Sequence, residues 1–228
     1  SALPARSEMC IRDRVEGIFV SHEHSDHIAG LQQLLKRFDI PVYTKQGTWR
    51  EIQDKLIVPK NRLIELTKGS LTLGSLIVEP FSVSHDAADP IGINVFAGND
   101  KATVVTDTGV ISDDILRRLD DTTLLVLEAN YDPHMLRFGP YQPFLKQRVA
   151  SDEGHLSNEM AAQALLMMKR PNFMQVILAH RSENNNNAVL VTQTIGKMLV
   201  DGGVRIGPEM KLQHGQPNEI VSIQSVKR

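Results

Sequence analysis

Ser21-His22-Glu23-His24-Ser25-Asp26-His27 sets four metal-capable side chains within six residues, directly behind the apolar run Val15-Glu16-Gly17-Ile18-Phe19-Val20. In extended backbone, residues two apart point the same way, so His22 and His24 can converge on one ion. Asp26 and His27, where the chain turns helical, swing towards a neighbouring position, and the spacing offers two ligands to each of two metals. A buried imidazole or carboxylate without a partner carries a large desolvation cost. The run therefore reads as a site rather than as a solvated polar loop.

Three more candidates stand behind apolar runs: His85 after Phe81-Ser82-Val83-Ser84, Asp107 after Val104-Val105-Thr106, and His180 after Ile177-Leu178-Ala179. Taken singly, His85 and Asp107 read equally well as turn residues and His180 as a satisfied core histidine. Together they sit where an α/β scaffold collects its site, at strand ends. The single cysteine, Cys10, permits no internal disulfide, and a ligand set of His and Asp without thiolate suits zinc or manganese.

Strand and helix patterns alternate around these residues. A strand is expected over 15–20, a helix over about 26–38, a short strand over 41–44 and a helix near 48–56. A hairpin over 71–83 turns at Gly74-Ser75, and strands near 91–96 and 102–106 are joined at Gly98-Asn99-Asp100. An apolar strand over 124–127 ends at Glu128. Asn158 is expected to cap a helix that carries Ala161, Ala164, Leu165 and Met168 on one face, and Ala188, Val191, Ile195, Met198 and Leu199 form a second such stripe, with a buried strand at 175–179 between them. Interleaved buried strands, hairpins and helices imply layered α/β/β/α packing. Residues 1–14 show neither periodicity and read as a non-native or disordered tail, outside one hydrolase-sized domain over 15–228.

Composition narrows the function classes. The chain has 228 residues, 41% hydrophobic and 23% charged, with formal charge −2, the balance of an ordinary globular protein rather than a whole-molecule anion binder. No apolar run approaches the length of a membrane span, and nothing resembles a signal peptide, so a cytoplasmic location and no membrane partner are expected.

The run at 21–27 is similar to the H-x-H-x-D-H signature of metallo-β-lactamase-fold hydrolases. The resemblance implies that fold, an αββα sandwich, here lacking its opening strands. It also implies one metal on His22, His24 and His85, a second on Asp26, His27 and His180, and Asp107 bridging them. Pro80-Phe81-Ser82-Val83-Ser84-His85-Asp86-Ala87, Thr106-Asp107-Thr108-Gly109, Leu127-Glu128-Ala129-Asn130, Phe138-Gly139-Pro140-Tyr141, Gly154-His155-Leu156-Ser157-Asn158 and Ala179-His180-Arg181-Ser182-Glu183-Asn184-Asn185 resemble the YycJ/WalJ (VicX) branch. Members of that branch are cytoplasmic and associated with nuclease activity on DNA. The chain departs from it at Tyr131, where a histidine is usual, and at Arg181, where a leucine is usual.

Phosphodiester hydrolysis needs an activated water, neutralised phosphate charge and a protonated leaving oxygen; two metal ions supply the first two. Asp26 is expected both to ligate and to orient the attacking water. Glu128 and His155 resemble the acidic residue and histidine that assist the leaving group in the tRNase Z type. Arg137, Lys146 and Arg148, interleaved with Tyr131, Tyr141 and Phe144, are expected to hold a DNA backbone and stack bases. The bland alternative for that stretch is a helical cover whose Met135, Leu136, Phe138 and Leu145 pack on the sheet. Two other functions stay open: a thioesterase or lactonase on the same fold, and a truncated metal-binding chain that turns nothing over. Exonuclease-like cleavage is the leading expectation; subunit assembly is not specified.

Overall fold

Two sheets organise the chain in the computed structural model, which describes residues 15–67, 69–216 and 219–223. The tail expected over 1–14 lies outside the described residues. The first sheet is small and parallel, with β1 (Ile18–Phe19), β2 (Val42–Thr44) and β3 (Leu63–Glu65) in sequence order. The second has seven strands: β4 (Leu71–Leu73), β5 (Leu76–Ser82), β6 (Ile91–Ala97), β7 (Asp100–Val105), β8 (Leu124–Glu128), β9 (Met174–Ala179) and β10 (Met210–His214), hydrogen-bonded in the order β10-β9-β8-β7-β6-β5-β4.

Pairing is antiparallel from β4 to β7 and parallel from β7 to β10. Two reversals bring β5 into the same direction as β7, so β5, β7, β8 and β9 all end at one edge. The register pairs Val105 with Leu127 and Glu128 with Ala179. Asp107, Glu128 and His180 therefore emerge side by side, with the loop that carries His85 on the same edge.

Helices α1 (Ser25–Ile28), α2 (Leu31–Arg37) and α3 (Gln46–Lys55) serve the small sheet: Ile28, Leu31, Leu35 and Ile52 bury with Val20 and Val42. Helices α4 (Asp113–Leu119), α7 (Asn158–Met167) and α8 (Ala188–Asp201) serve the large one, where Ile115, Leu119, Ala161, Leu165, Ile195 and Leu199 join Leu125, Leu127, Val176 and Leu178 in the main core. Between the sheets, Tyr43 of β2 meets Ile91 of β6, and Phe19 stacks on Tyr43 with ring centroids 4.8 Å apart. The α/β/β/α layering is the expected one. Short helices α5 (Pro133–Phe138) and α6 (Pro143–Val149) form a separate cover over Tyr131, Leu136 and Val149.

Several local expectations need correction. The strand expected over 15–20 shrinks to Ile18–Phe19, although Val20 N still donates to Tyr43 O at 2.9 Å and Thr44 Oγ1 to Val20 O at 2.9 Å. The helix expected over 26–38 is two helices, interrupted at Ala29-Gly30, where glycine's helix propensity is poor. Ser157, not Asn158, caps α7 by accepting from Met160 N at 3.2 Å. Asn158 is fully buried instead and exchanges two amide hydrogen bonds with Asn186, at 3.1 and 2.8 Å. No helix among the described residues is long and apolar enough to cross a membrane.

Candidate metal centre

The loop after β1 enters α1 with His24 in the N-cap position, its backbone extended (φ −64°, ψ 149°) and its side chain making no capping bond. Freed from capping, the imidazole turns to the sheet edge. There His22, His24 and His85 meet edge to face, with ring centroids 4.7 to 5.0 Å apart, and His85 Nε2 lies 3.2 Å from His24 Nδ1. His85 Nδ1 donates to the carbonyls of Glu153 and Gly154, each at 3.1 Å, so its Nε2 is the nitrogen offered to the cluster. Ser21 Oγ engages His22 Nδ1 at 3.1 Å, whereas His22 Nε2 is buried with no hydrogen-bond partner among the described residues. A buried nitrogen aimed into a ring of imidazoles fits a metal ligand.

Asp26, His27 and His180 form a second cluster beside the first. His27 Nε2 lies 3.5 Å and His180 Nε2 3.6 Å from Asp26 Oδ2. Asp107 stands between the clusters: Oδ1 is 3.8 Å from His85 Nε2 and 3.4 Å from His180 Nε2, and Oδ2 is 3.4 Å from His27 Nε2. The ligand atoms of each triad lie within 4.8 Å of one another, a spread that one divalent ion can draw together. Both Asp107 (φ 57°) and His180 (φ 52°) adopt left-handed backbone, which costs a non-glycine residue about 1–3 kcal/mol and recurs where geometry is imposed by a site.

Electrostatics differ between the clusters. Burial, reinforced by the charge of His27, pushes His22 down to about 3, so this imidazole is neutral and ready to ligate. His180 goes the other way. Burial opposes its charge, but a hydrogen bond to Glu128 and the negative charges of Asp107, Glu128 and Asp26 carry it up to about 9. Burial likewise works against ionised Asp107, and His27 and His180 overcome it, holding the carboxyl well below its usual range.

Glu128 is fully buried at the end of β8. Its Oε1 accepts from His155 Nδ1 at 2.8 Å and from His180 Nδ1 at 2.7 Å, and its Oε2 accepts from the amides of Thr108 and Leu156, both at 3.2 Å. The expected Glu128–His155 contact is present as a hydrogen bond, and Glu128, fully buried, holds His180 as well. His155 is a neighbour of both clusters, its ring centroid 5.1 Å from that of His85 and 5.3 Å from that of His180. Two glycines permit this convergence. A Cβ on Gly109 would lie 2.3 Å from the backbone of Ser151 and Asp152, and one on Gly154 would lie 2.3 Å from the carbonyls of Arg148 and Val149.

The basic stretch is only partly brought to the site. Arg148 Nε bonds Asp86 Oδ2, and Asp86 Oδ1 lies 3.5 Å from His85 Nε2, which places this ion pair at the rim of the first cluster. Lys146 Nζ donates to the Arg137 carbonyl at 2.8 Å, and the Arg137 guanidinium lies 5.3 Å from the Phe138 ring centroid, both out on the α5–α6 cover. Tyr131 cannot stack a base, because it is buried beneath that cover. The alternative packing is also only partly present: Leu136 and Leu145 pack inwards and Met135 is half-buried, whereas Phe138 is 67% exposed; Phe144, one of the expected stacking aromatics, is 70% exposed. Asp86 and Asn130 were missed. Asp86 adjoins His85 in sequence, which is its signal. Asn130 Nδ2 donates to the His180 carbonyl at 2.8 Å, a contact no spacing rule could find.

The chain belongs to the beta-lactamase superfamily: residues 2–180 match the beta-lactamase superfamily domain, a match that begins inside the segment read as a tail. It thus has the divalent-metal-binding fold whose His/Asp clusters are described above. Among individual proteins it is 36% identical, over 99% of its length and 86% of the relative's, to "Exodeoxyribonuclease YycJ" of Bacillus anthracis. It is 31% identical to "Exodeoxyribonuclease WalJ" of Streptococcus pneumoniae, over 90% of this chain and 77% of that protein. The crystal structure of the metallo-beta-lactamase fold protein YhfI from Bacillus subtilis superposes with a TM-score of 0.64 at 16% identity, covering 88% of this chain and 76% of that one.

Proposed function

We propose that this chain is a dinuclear-metal-dependent exodeoxyribonuclease of the cytoplasm. The observation that carries the reading is the pair of three-residue clusters with Asp107 between them, and His155 held beside both on a buried carboxylate. The relatives named exodeoxyribonucleases support DNA as the phosphodiester substrate.

In this reading His22, His24 and His85 hold one ion, Asp26, His27 and His180 the other, and Asp107 serves both. Two such ions, zinc or manganese, supply a lowered pKa for the attacking water and charge neutralisation at the phosphate. Asp26, with its side chain 64% exposed, is the ligand open to solvent and so the one able to orient the incoming water. His155 spends its Nδ1 proton on Glu128, which fixes the tautomer and leaves Nε2 as the atom that carries a proton to the leaving oxygen. Glu128 stabilises that imidazole when it is charged. Arg148, held by Asp86, sets a guanidinium at the phosphate's approach, and the exposed Phe138 and Phe144 offer stacking faces beyond it.

The test uses purified chain loaded with zinc or manganese. Linear DNA should be degraded from its ends while covalently closed circular DNA survives; cleavage of the circle would reject the exonuclease reading. Turnover of thioester or lactone substrates without any on DNA would reject the nuclease reading altogether.

A further inference from the structure

A cavity of about 770 Å³ opens from the outer side of the second cluster, reached past Asp26 and His180 and walled by Arg181, Glu183, Asn187 and Gln216. Its size is that of a pocket for a small ligand or a nucleotide unit. Among its described lining residues Arg181 is the one guanidinium. The backbone delivers it there by construction. His180, in the left-handed conformation, turns the chain out of β9; Asn130 then braces both sides of Arg181, its Nδ2 donating to His180 O at 2.8 Å and its carbonyl accepting from Ser182 N at 2.9 Å. Arg181 Nη1 is buried and finds no acceptor among the described residues. The charge of Arg181 adds to burial in lowering the pKa of His214 on β10, and as a lining residue of the cavity Arg181 offers a guanidinium fork that matches a phosphate. Neither carboxylate of the wall fills that fork: Asp26 is turned to His27 and His180, and no ion pair joins Glu183 to Arg181 among the described residues.

We infer that Arg181 binds the phosphate that neighbours the scissile one along the DNA strand, making this residue a determinant of substrate choice. The inference rests on the nuclease reading and gives it a direction: the strand runs from the metal clusters past His180 into this cavity. A single-phosphate ester does not reach Arg181, and a strand of at least two linkages does.

Two single-stranded oligodeoxynucleotides decide the matter, alike except that the linkage next to the cleaved bond is phosphate in one and uncharged methylphosphonate in the other. In the wild type the neutral linkage should lower kcat/KM about tenfold, through KM. Arg181→Leu should show that loss already, and the methylphosphonate should cost it less than about twofold more, with the slope of log affinity against log salt reduced by about one. Arg181→Lys should keep the slope and lose part of the affinity. A methylphosphonate penalty as large in Arg181→Leu as in wild type, an unchanged salt slope, or loss of metal or of thermal stability in Arg181→Leu would each overturn the assignment. A wild type that hydrolyses neither strand refutes the nuclease reading instead, and anisotropy binding of the same two strands still decides for or against Arg181.

Discussion

The two clusters differ in what holds them. His22, His24 and His85 are three imidazoles braced by Ser21 Oγ and two backbone carbonyls, with the Asp86 carboxylate at their rim, and burial leaves His22 at about 3. Asp26, His27 and His180 include a solvent-exposed carboxylate and an imidazole tied to the buried charge of Glu128, which carries His180 up to about 9. His22 stands deprotonated for its ion, whereas His180 must give up a proton to take one. Affinity at the two positions should therefore respond differently to pH and to mutation.

Removing what they share should cost most. Asp107→Ala is expected to lower metal content from two ions per chain to one or fewer and turnover by roughly 10³-fold or more, since neither ion keeps its partner; elemental analysis beside a DNA hydrolysis assay reads both. His155→Ala should leave metal content unchanged and reduce turnover by about 10²–10⁴-fold. Loss of metal in that variant would turn His155 into a structural residue.

Glu128→Gln separates the clusters. It should weaken the second ion by about 10–100-fold and spare the first. It should also abolish a proton signature. In the metal-free protein, stability from protonated His180 is fully present below pH about 6.5 and is lost as pH rises through about 9. The contribution of His22 has the opposite sense: present above about 6.5, lost as pH falls through about 3. At pH 7.5, filling the second position should release a proton from His180, whereas His22 in the first has none to give. Calorimetry in buffers of different ionisation enthalpy measures this, and equal release at both positions would dissolve the distinction. Reversing the charges of Arg137, Lys146 and Arg148 should act more weakly, loosening DNA binding and flattening its salt dependence; the share due to Arg148 should be largest, because Asp86 brings it to the rim.

That these histidines and aspartates gather at one place could be read from the chain, because metal chemistry restricts residue type and strand ends restrict place. His85, Asp107 and His180 each followed an apolar run, and parallel alignment of those strands carried them to one edge. Glu128 was harder. Its position after an apolar strand was visible, but its hold on both His155 and His180 depends on the register that sets Glu128 beside Ala179. Helix α4 carried a readable signal in Ser112, which accepts from Ile115 N at 3.3 Å, and in Ile115 and Leu119 one turn apart, yet seven residues are too few for periodicity to stand out. Nothing in the spacing of the four asparagines at 184–187 marks a role. In the fold Asn186 pairs with Asn158 and Asn187 caps α8 by accepting from Leu190 N at 2.9 Å, roles set by tertiary contacts that composition does not carry.

Crystals of the chain soaked with manganese, with anomalous difference maps, test the central claim most directly. Two peaks are expected on opposite sides of the Asp107 carboxylate, one among His22, His24 and His85, the other among Asp26, His27 and His180. A single peak, or peaks away from Asp107, would contradict it.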